Sequence, residues 1–471
     1  MYEAVIGIEV HCELLTNTKM FSASPLRYGV EPNTAINEVD LAYPGTLPQV
    51  NAQAVKQAVL LTKALNCTLD PVLRFDRKNY FYSDLPKGYQ ITQQYYPLGK
   101  DGLFPIMVAD QVMDVRINRL HLEEDTAKQF HEIDKTLIDF NRAGTPLVEI
   151  VTEADFRSGQ QAAAYVENLR LLVVHLGVSN GKMAEGSLRC DVNISLRPKG
   201  QEKFGTKVEI KNLNSINNIE KAIEYEIKRQ TEILDNKEAV VQQTRRFDEA
   251  SQTTVLMRTK DDVVDYRYFR DPNIPAIKIH DDILNAELIE LPLTKMKRYQ
   301  SEYNLSAYDA KVLVNNPEIS QYFDALTSKS SEYKLMVNWL TQDLLAVFDQ
   351  KEDKSMTEWI TPDYFVQFID AISSKTISSK QAKKVFTGLL EGIEPKKYIK
   401  DNKMVQISDE KVLTEWIMDV LENNPQVLDD YRNGLDKSMK FVVGQVMKLS
   451  KGQANPQFTN MLVEQILAKL A

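Results

Sequence analysis

At 471 residues, with 43% hydrophobic and 26% charged residues, the chain is too long for one ordinary core and predicts two to four domains of soluble composition. The net charge of −9 argues against a free-standing basic nucleic-acid binder, although local basic patches on an acidic protein still hold phosphates. No run reaches the roughly 18 apolar residues of a membrane helix, and MYEAVIGIEV has neither the basic start nor the cleavage site of a secretory signal. Three scattered cysteines, Cys12, Cys67 and Cys190, form no CxxC pair, which fits a reducing cytoplasm rather than a disulfide framework or a structural zinc.

The first 290 or so residues read as strands with helices interleaved. Apolar and polar residues alternate in Val5–Leu14, Val115–Leu122, Leu188–Leu196 and Thr206–Lys211, while Asn51–Leu65, Gln160–Leu176 and Asn218–Leu234 carry a helical period. The two types do not alternate strictly, so this part is expected to be α+β, a cradle around a largely antiparallel sheet. Pro272, Pro275 and Pro292 mark a change of character, after which the pattern is helical. Ser306–Asn315, Pro317–Thr327, Glu332–Phe348, Pro362–Ser373 and Ser378–Glu391 form one helical group. A polar, Lys-rich break at Gly392–Asp409 precedes four more helices, Glu410–Glu422, Pro425–Asn433, Lys437–Leu449 and Pro456–Leu470. The expected division is 1–290, 291–405 and 406–471, the last two being all-helical domains.

Strand alternation also sorts the polar residues. Glu9 and His11 share one face of the first strand, at the i, i+2 spacing that aims two ligands at one ion. Arg189, Asp191, Asn193, Ser195 and Arg197 share a face of another, and Lys207, Glu209 and Lys211 of a third. HLEED adds Glu123, Glu124 and Asp125, and Glu149 sits among Leu, Val, Ile and Val, where a carboxylate needs a partner. Such an oxygen-rich set suits Mg²⁺ working with nucleotide phosphates, against the plain reading that the outer face of any antiparallel sheet is polar. Between Arg74 and Gln94, Tyr80, Phe81, Tyr82 and Tyr89 lie among Arg74, Arg77, Lys78 and Lys87, a mixture that stacks on bases or packs a loop on the sheet. In the tail, Arg432, Lys437, Lys440, Lys448 and Lys451 offer cations to a nucleic-acid backbone or to solvent. The chain has no GxxxxGK[ST] loop, no GxGxxG after a strand, no GxSxG elbow and no kinase signature, hence no recognisable hydrolase nucleophile.

Read as strings, IGIEVHCEL, AYPGTLPQVN, DLPKGYQIT, RLHLEEDTAK, DFNRAGTPLVEIVTE, GSLRCDVNISLRP, VEIKNLNSI and DYRYFRDPNIP resemble the signature blocks of the B subunits of tRNA-dependent amidotransferases. The tail segment FVVGQVMKLSKGQANPQ is similar to a block which that family shares with a small stand-alone helical protein. The chain departs from the pattern at Ser83 and Arg270, where the family often has Pro in loops. The resemblance implies a ligase whose cradle binds ATP and Mg²⁺ and phosphorylates the side-chain carboxylate of misacylated Glu-tRNA(Gln) or Asp-tRNA(Asn). Ammonia from glutamine, released by the amidase A subunit, then forms the amide, and a small C subunit holds A and B together. Carried onto this chain, the resemblance places Glu9, His11, Glu124, Glu149 and Asp191 at metal positions, with Glu123 an open alternative to Glu124 because strict alternation puts Glu123 beside His121. Arg189, Lys207, Glu209 and Lys211 would hold phosphates or order that network, Lys87 would line the ammonia route, and Lys437, Lys440, Lys448 and Lys451 would contact tRNA. The rivals are a small-acid ligase that uses no tRNA and a non-catalytic RNA-binding scaffold.

Overall fold

A computed structural model describes residues 1–259, 265–351, 353–404, 407, 409–432 and 437–470. Its strands are β1 (Tyr2–Glu13), β2 (Thr68–Leu69), β3 (Val72–Leu73), β4 (Asp76–Asn79), β5 (Tyr89–Thr92), β6 (Gly99–Val108), β7 (Gln111–Glu124) and β8 (Lys128–His131). There follow β9 (Thr136–Asp139), β10 (Pro146–Thr152), β11 (Leu188–Pro198), β12 (Val208–Leu213), β13 (Gln243–Asp248), β14 (Thr253–Thr259), β15 (Phe269–Arg270) and β16 (Ile277–Lys278). Nine of them make one sheet in the order β14-β13-β12-β11-β1-β10-β7-β6-β2. Only the β12–β13 pair in it is parallel, so the expected α+β class with a largely antiparallel sheet is what forms.

The chain divides into two compact units, Met1–Lys295 and Met296–Ala471. In the first, β1 is sandwiched between β10 and β11, and one face of the sheet is the core. Ile6, Ile8, Val10 and Cys12 of β1 join Val148, Ile150, Val192 and Ile194 there, all nearly inaccessible. Three helices cover that face: α1 (Ala52–Ala64), α2 (Gly159–His175) and α3 (Ile216–Asp235). Each starts where its sequence supplies an acceptor. Asn51 caps the backbone amides of Gln53 and Ala54, Ser158 that of Gln161, and Ser215 that of Asn218. With the core on one face, the alternating polar residues are all delivered to the other.

A three-stranded sheet, β15-β4-β5, docks on the end of β7. There the Gln90 side-chain Nε2 donates to the Glu124 backbone carbonyl at 2.7 Å, and the Glu124 carboxylate accepts from the Ile91 backbone amide at 3.0 Å.

The second unit is helical, with two departures from expectation. The segment Glu332–Phe348 is not one α-helix: Tyr333–Asn338 gives way to a wider π turn at Trp339–Leu344 and a 3₁₀ stretch at Leu345–Lys351. The widened turn starts at Trp339, whose ring packs on Phe368 and Phe386, a tertiary demand invisible to a 3.6-residue period. The expected break at Gly392–Asp409 contains a short helix, Pro395–Asp401, which buries Pro395 and Ile399 and leaves its lysines outside. Residues 413–467 gather an apolar cluster of their own around Leu413, Ile417, Val442, Val446 and Val463. The expected helix Pro425–Asn433 is seen as Gln426–Arg432, and Asn433 lies outside the described residues. No described helix is long and apolar enough to cross a membrane.

Candidate active site

Register, not proximity in sequence, assembles the polar face. Pairing of β1 with β11 sets Glu9 opposite Asp191 and His11 opposite Arg189, while β1 with β10 sets His11 opposite Glu149. The β10–β7 ladder continues the row from Glu149 to His121, and β11–β12 extends it the other way from Asn193 to Glu209. Residues nearly 200 positions apart thus become neighbours across five strands.

At one end of this row two imidazoles and two carboxylates interlock. His11 Nε2 lies 3.4 Å from Glu123 and 3.4 Å from Glu149, and His121 Nε2 lies 3.6 Å and 3.4 Å from the same two residues. Burial disfavours the charged form of His11, but the two carboxylates outweigh it and lift its pKa to about 9. Glu149 is held well below the usual carboxylate range: burial pushes it up, and His121 and His11 more than reverse that. Ligand atoms of His11, Glu123 and Glu149 all lie within 4.8 Å of one another, and His121 Nδ1 is buried with no hydrogen-bond partner among the described residues. A divalent cation fits here, because it would supply to the two carboxylates the positive charge that the imidazoles now lean toward them.

The middle and far end of the row are charged but balanced. Glu9 accepts from Asn193 Nδ2 at 2.7 Å, and its pKa is raised by burial and then by the nearby Glu149 charge. Asn193 Oδ1 is itself buried and unpartnered among the described residues. Lys211 bridges Asp191 at 2.5 Å and Glu209 at 3.1 Å, and Thr244 donates to Glu209 at 2.9 Å. Arg189 donates to Asp125 at 2.6 Å. Lys207 is exposed just before β12, close enough for its charge to help hold the Glu209 carboxyl down.

Glu123 and Glu124, adjacent in sequence, part company. Glu123 joins the histidines, whereas Glu124 projects from the other side of β7 and pairs with Lys87 at 2.8 Å. Lys87 and Glu124 line a cavity of about 220 Å³ with Asp40, Tyr89, Asp125 and Gly144. Lys19, fully buried, pairs with Asp40 at 3.2 Å in the wall beside it. Of the tail cations, Lys437, Lys440 and Lys448 are exposed on one helix, Lys437–Leu449, and Lys451 follows it, also exposed. At 3.6 residues per turn the three helical lysines fall within about 80° of one another.

Sequence reasoning gave less notice of His121 and Asn193, and none of Thr244 or of Tyr28, whose hydroxyl donates to Glu13 at 2.7 Å. Alternation already carried the signal for His121 and Asn193; the partners of Thr244 and Tyr28 come from distant loops and strands.

Residues 4–285 match the family described as GatB/GatE catalytic domain, and residues 321–467 match one described as GatB domain. The chain belongs to this family. It is 49% identical over 471 residues to the B subunit of the aspartyl/glutamyl-tRNA(Asn/Gln) amidotransferase of Geobacillus thermodenitrificans, covering 99% of each chain. The proteins of the same description from Staphylococcus carnosus and Halalkalibacterium halodurans are each 48% identical, again over 99% of both chains. The catalytic-domain match embraces the polar face entirely, from Glu9 to Lys211.

Proposed function

We propose that this chain is the B-type subunit of a tRNA-dependent amidotransferase, in which it activates the side-chain carboxylate of misacylated Glu-tRNA(Gln) or Asp-tRNA(Asn) with ATP and completes the amide with ammonia. The observation that carries this reading is the convergence of Glu9, His11, Glu123, Glu149 and Asp191 on one sheet face within a chain alike over its whole length to such subunits. A carboxylate is a poor electrophile until one of its oxygens becomes a leaving group. The substrate oxygen therefore takes the γ-phosphoryl group of ATP: its new O–P bond forms as the bond to the bridging oxygen breaks and ADP departs. Ammonia then attacks the acyl carbon, inorganic phosphate leaves with the C–O bonding pair, and the nitrogen loses a proton.

His11, Glu123 and Glu149, supported by Glu9 and Asp191, would hold Mg²⁺. When bound, that ion neutralises charge on the transferring phosphoryl oxygens. Lys211 and Lys207 stand where cations can meet the nucleotide phosphates, and Arg189 is oriented by Asp125. Lys87 and Glu124, which share a cavity and an ion pair, would line the entry of ammonia in this reading, and Glu124 would take this role in preference to that of a metal ligand. In this reading 406–471 is a separate domain whose lysines contact the tRNA backbone, and 291–405 joins it to the cradle. The remaining members of a cytoplasmic complex are the amidase A subunit, which releases ammonia, and the small C subunit.

The test uses the chain copurified with its candidate A and C subunits. Glu-tRNA(Gln), glutamine and Mg·ATP are supplied, and Gln-tRNA(Gln) is scored for wild type and Glu149→Gln. Product from wild type and at least a hundredfold less from the variant, with glutamine hydrolysis retained, supports the reading. Equal product from both makes the polar face structural. No product from wild type with either Glu-tRNA(Gln) or Asp-tRNA(Asn) removes the assignment.

A further inference from the structure

Beside the carboxylate and histidine cluster stands an aromatic row that the reaction above does not use. Tyr80 and Tyr266 meet edge to face with centroids 5.9 Å apart, and Tyr266 meets Tyr268 in the same way at 5.9 Å. Lys78, on β4, holds its ammonium 4.9 Å from the Tyr266 ring centre and 5.9 Å from that of Tyr80. Among the described residues it pairs with no carboxylate. The three rings and Lys78 are all half-buried, so each keeps part of its surface accessible.

The backbone is arranged to keep these rings in place. The Asn79 amide donates to the Tyr266 carbonyl at 2.9 Å, and its side-chain nitrogen donates to the carbonyls of Tyr266 and Arg267 at 3.3 and 2.8 Å. Arg267, between the two tyrosines, has φ 44, a left-handed conformation that costs a non-glycine residue and persists only when neighbours over-determine it. Strand β5 links the row to the cluster: its Gln90 stands opposite Lys78, and its Thr92 hydroxyl donates to Glu123 at 3.4 Å. Burial, then Tyr266, then the charges of Glu149 and Glu123 raise the Tyr268 hydroxyl to about 12, and burial, then Asp84, Glu123 and Glu124 raise that of Tyr80.

Aromatic rings with a cation beside them, next to a face rich in groups for phosphate chemistry, are what a base carrying a phosphate requires. We propose that Tyr80, Tyr266, Tyr268 and Lys78 form a subsite for an adenosine ring, with Lys78 meeting the phosphate attached to it and Asn79 acting as the positioning residue that holds the Tyr266–Tyr268 turn. The choice of adenosine rests on the proposed reaction, whose two substrates each present one: ATP, and the 3′-terminal nucleotide of tRNA.

The experiment separates these sources and stands apart from turnover. Using the complete complex, the Kd of Mg·ATP and that of a short single-stranded RNA ending in CCA are measured for wild type, Tyr266→Leu, Tyr266→Phe and Lys78→Met. Loss of one stacked ring is expected to weaken binding about tenfold. The leucine variant should therefore lose affinity for one probe, the phenylalanine variant should keep it, and Lys78→Met should weaken the same probe. A loss confined to Mg·ATP assigns the subsite to the nucleotide, and one confined to the RNA assigns it to the tRNA end. If the leucine and phenylalanine variants bind both probes as wild type does, or are equally impaired, the subsite is overturned. Parallel steady-state assays should show the loss in KM with kcat nearly unchanged. A wild-type complex that binds the probes but forms no amide sinks the proposed function and leaves the subsite standing.

Discussion

Replacing Glu226 by Gln tests how the outer strands of the sheet are held. Glu226, on α3, is wholly buried and accepts from Arg229 through two nitrogens at 2.9 Å and from Gln230 at 3.0 Å. Thr254 of β14 also donates to it, and Arg245 of β13 lies 3.1 Å away. One carboxylate thus pins two guanidinium groups and two strands to the helix. Gln has the same shape, but both half-buried cations lose their counter-charge and face each other, a loss of about 3 kcal/mol, the low end for a broken buried pair. At roughly 2 °C per kcal/mol for a unit of this size, Tm should fall by about 6 °C.

The pH dependence gives a second reading. Burial raises the Glu226 pKa, but Arg229, Thr254 and Gln230 more than compensate and leave it below its ordinary value of 4.5. A depressed folded-state pKa contributes stability that is complete above the unfolded value and disappears as pH falls through the folded one. The difference between wild type and Glu226→Gln should stay constant from pH 8 to about pH 5 and shrink only below about 4.5. Urea unfolding followed by tyrosine fluorescence at several pH values measures it, since Trp339, Trp359 and Trp416 all lie in the second unit. A difference under about 1 kcal/mol at pH 7, or one that closes as pH rises, would refute the argument.

Two further outcomes bear on function. Changing Lys437, Lys440 and Lys448 together to Gln should raise the KM for tRNA at low salt and reduce the slope of log KM against log salt by about 2–3, nearly one per lost phosphate contact; an unchanged slope would show a merely solvated helix face. Lys87→Met should depress glutamine-driven amide formation much more than formation driven by added ammonium salt, assayed on the same complex, and an equal loss with both donors would take Lys87 out of the ammonia route.

The sequence by itself determined the composition of the two sheet faces, because side chains in a strand alternate with period two whatever the strand's neighbours are. Glu9 with His11, and Asp191 with Arg189 and Asn193, were legible for that reason. So were α1 to α3, whose Asn51, Ser158 and Ser215 caps and apolar stripes are local signals. The signature strings told the family outright. Strand order and register lay beyond local reading, since they depend on pairings between segments as far apart as β1 and β11. Only those pairings brought His11 to Glu149 and His121. Alternation put Glu123 on the side of His121 and Glu124 on the other, but it could not say that His11 and Glu149 meet the first and Lys87 the second. The same holds for the row of Tyr80, Tyr266 and Tyr268: two tyrosines come from one loop and one from a segment nearly 190 residues earlier. They meet because β15 pairs with β4 and Asn79 ties the turn across. Register is a cooperative property of the whole buried face, and a single strand carries half of it at most.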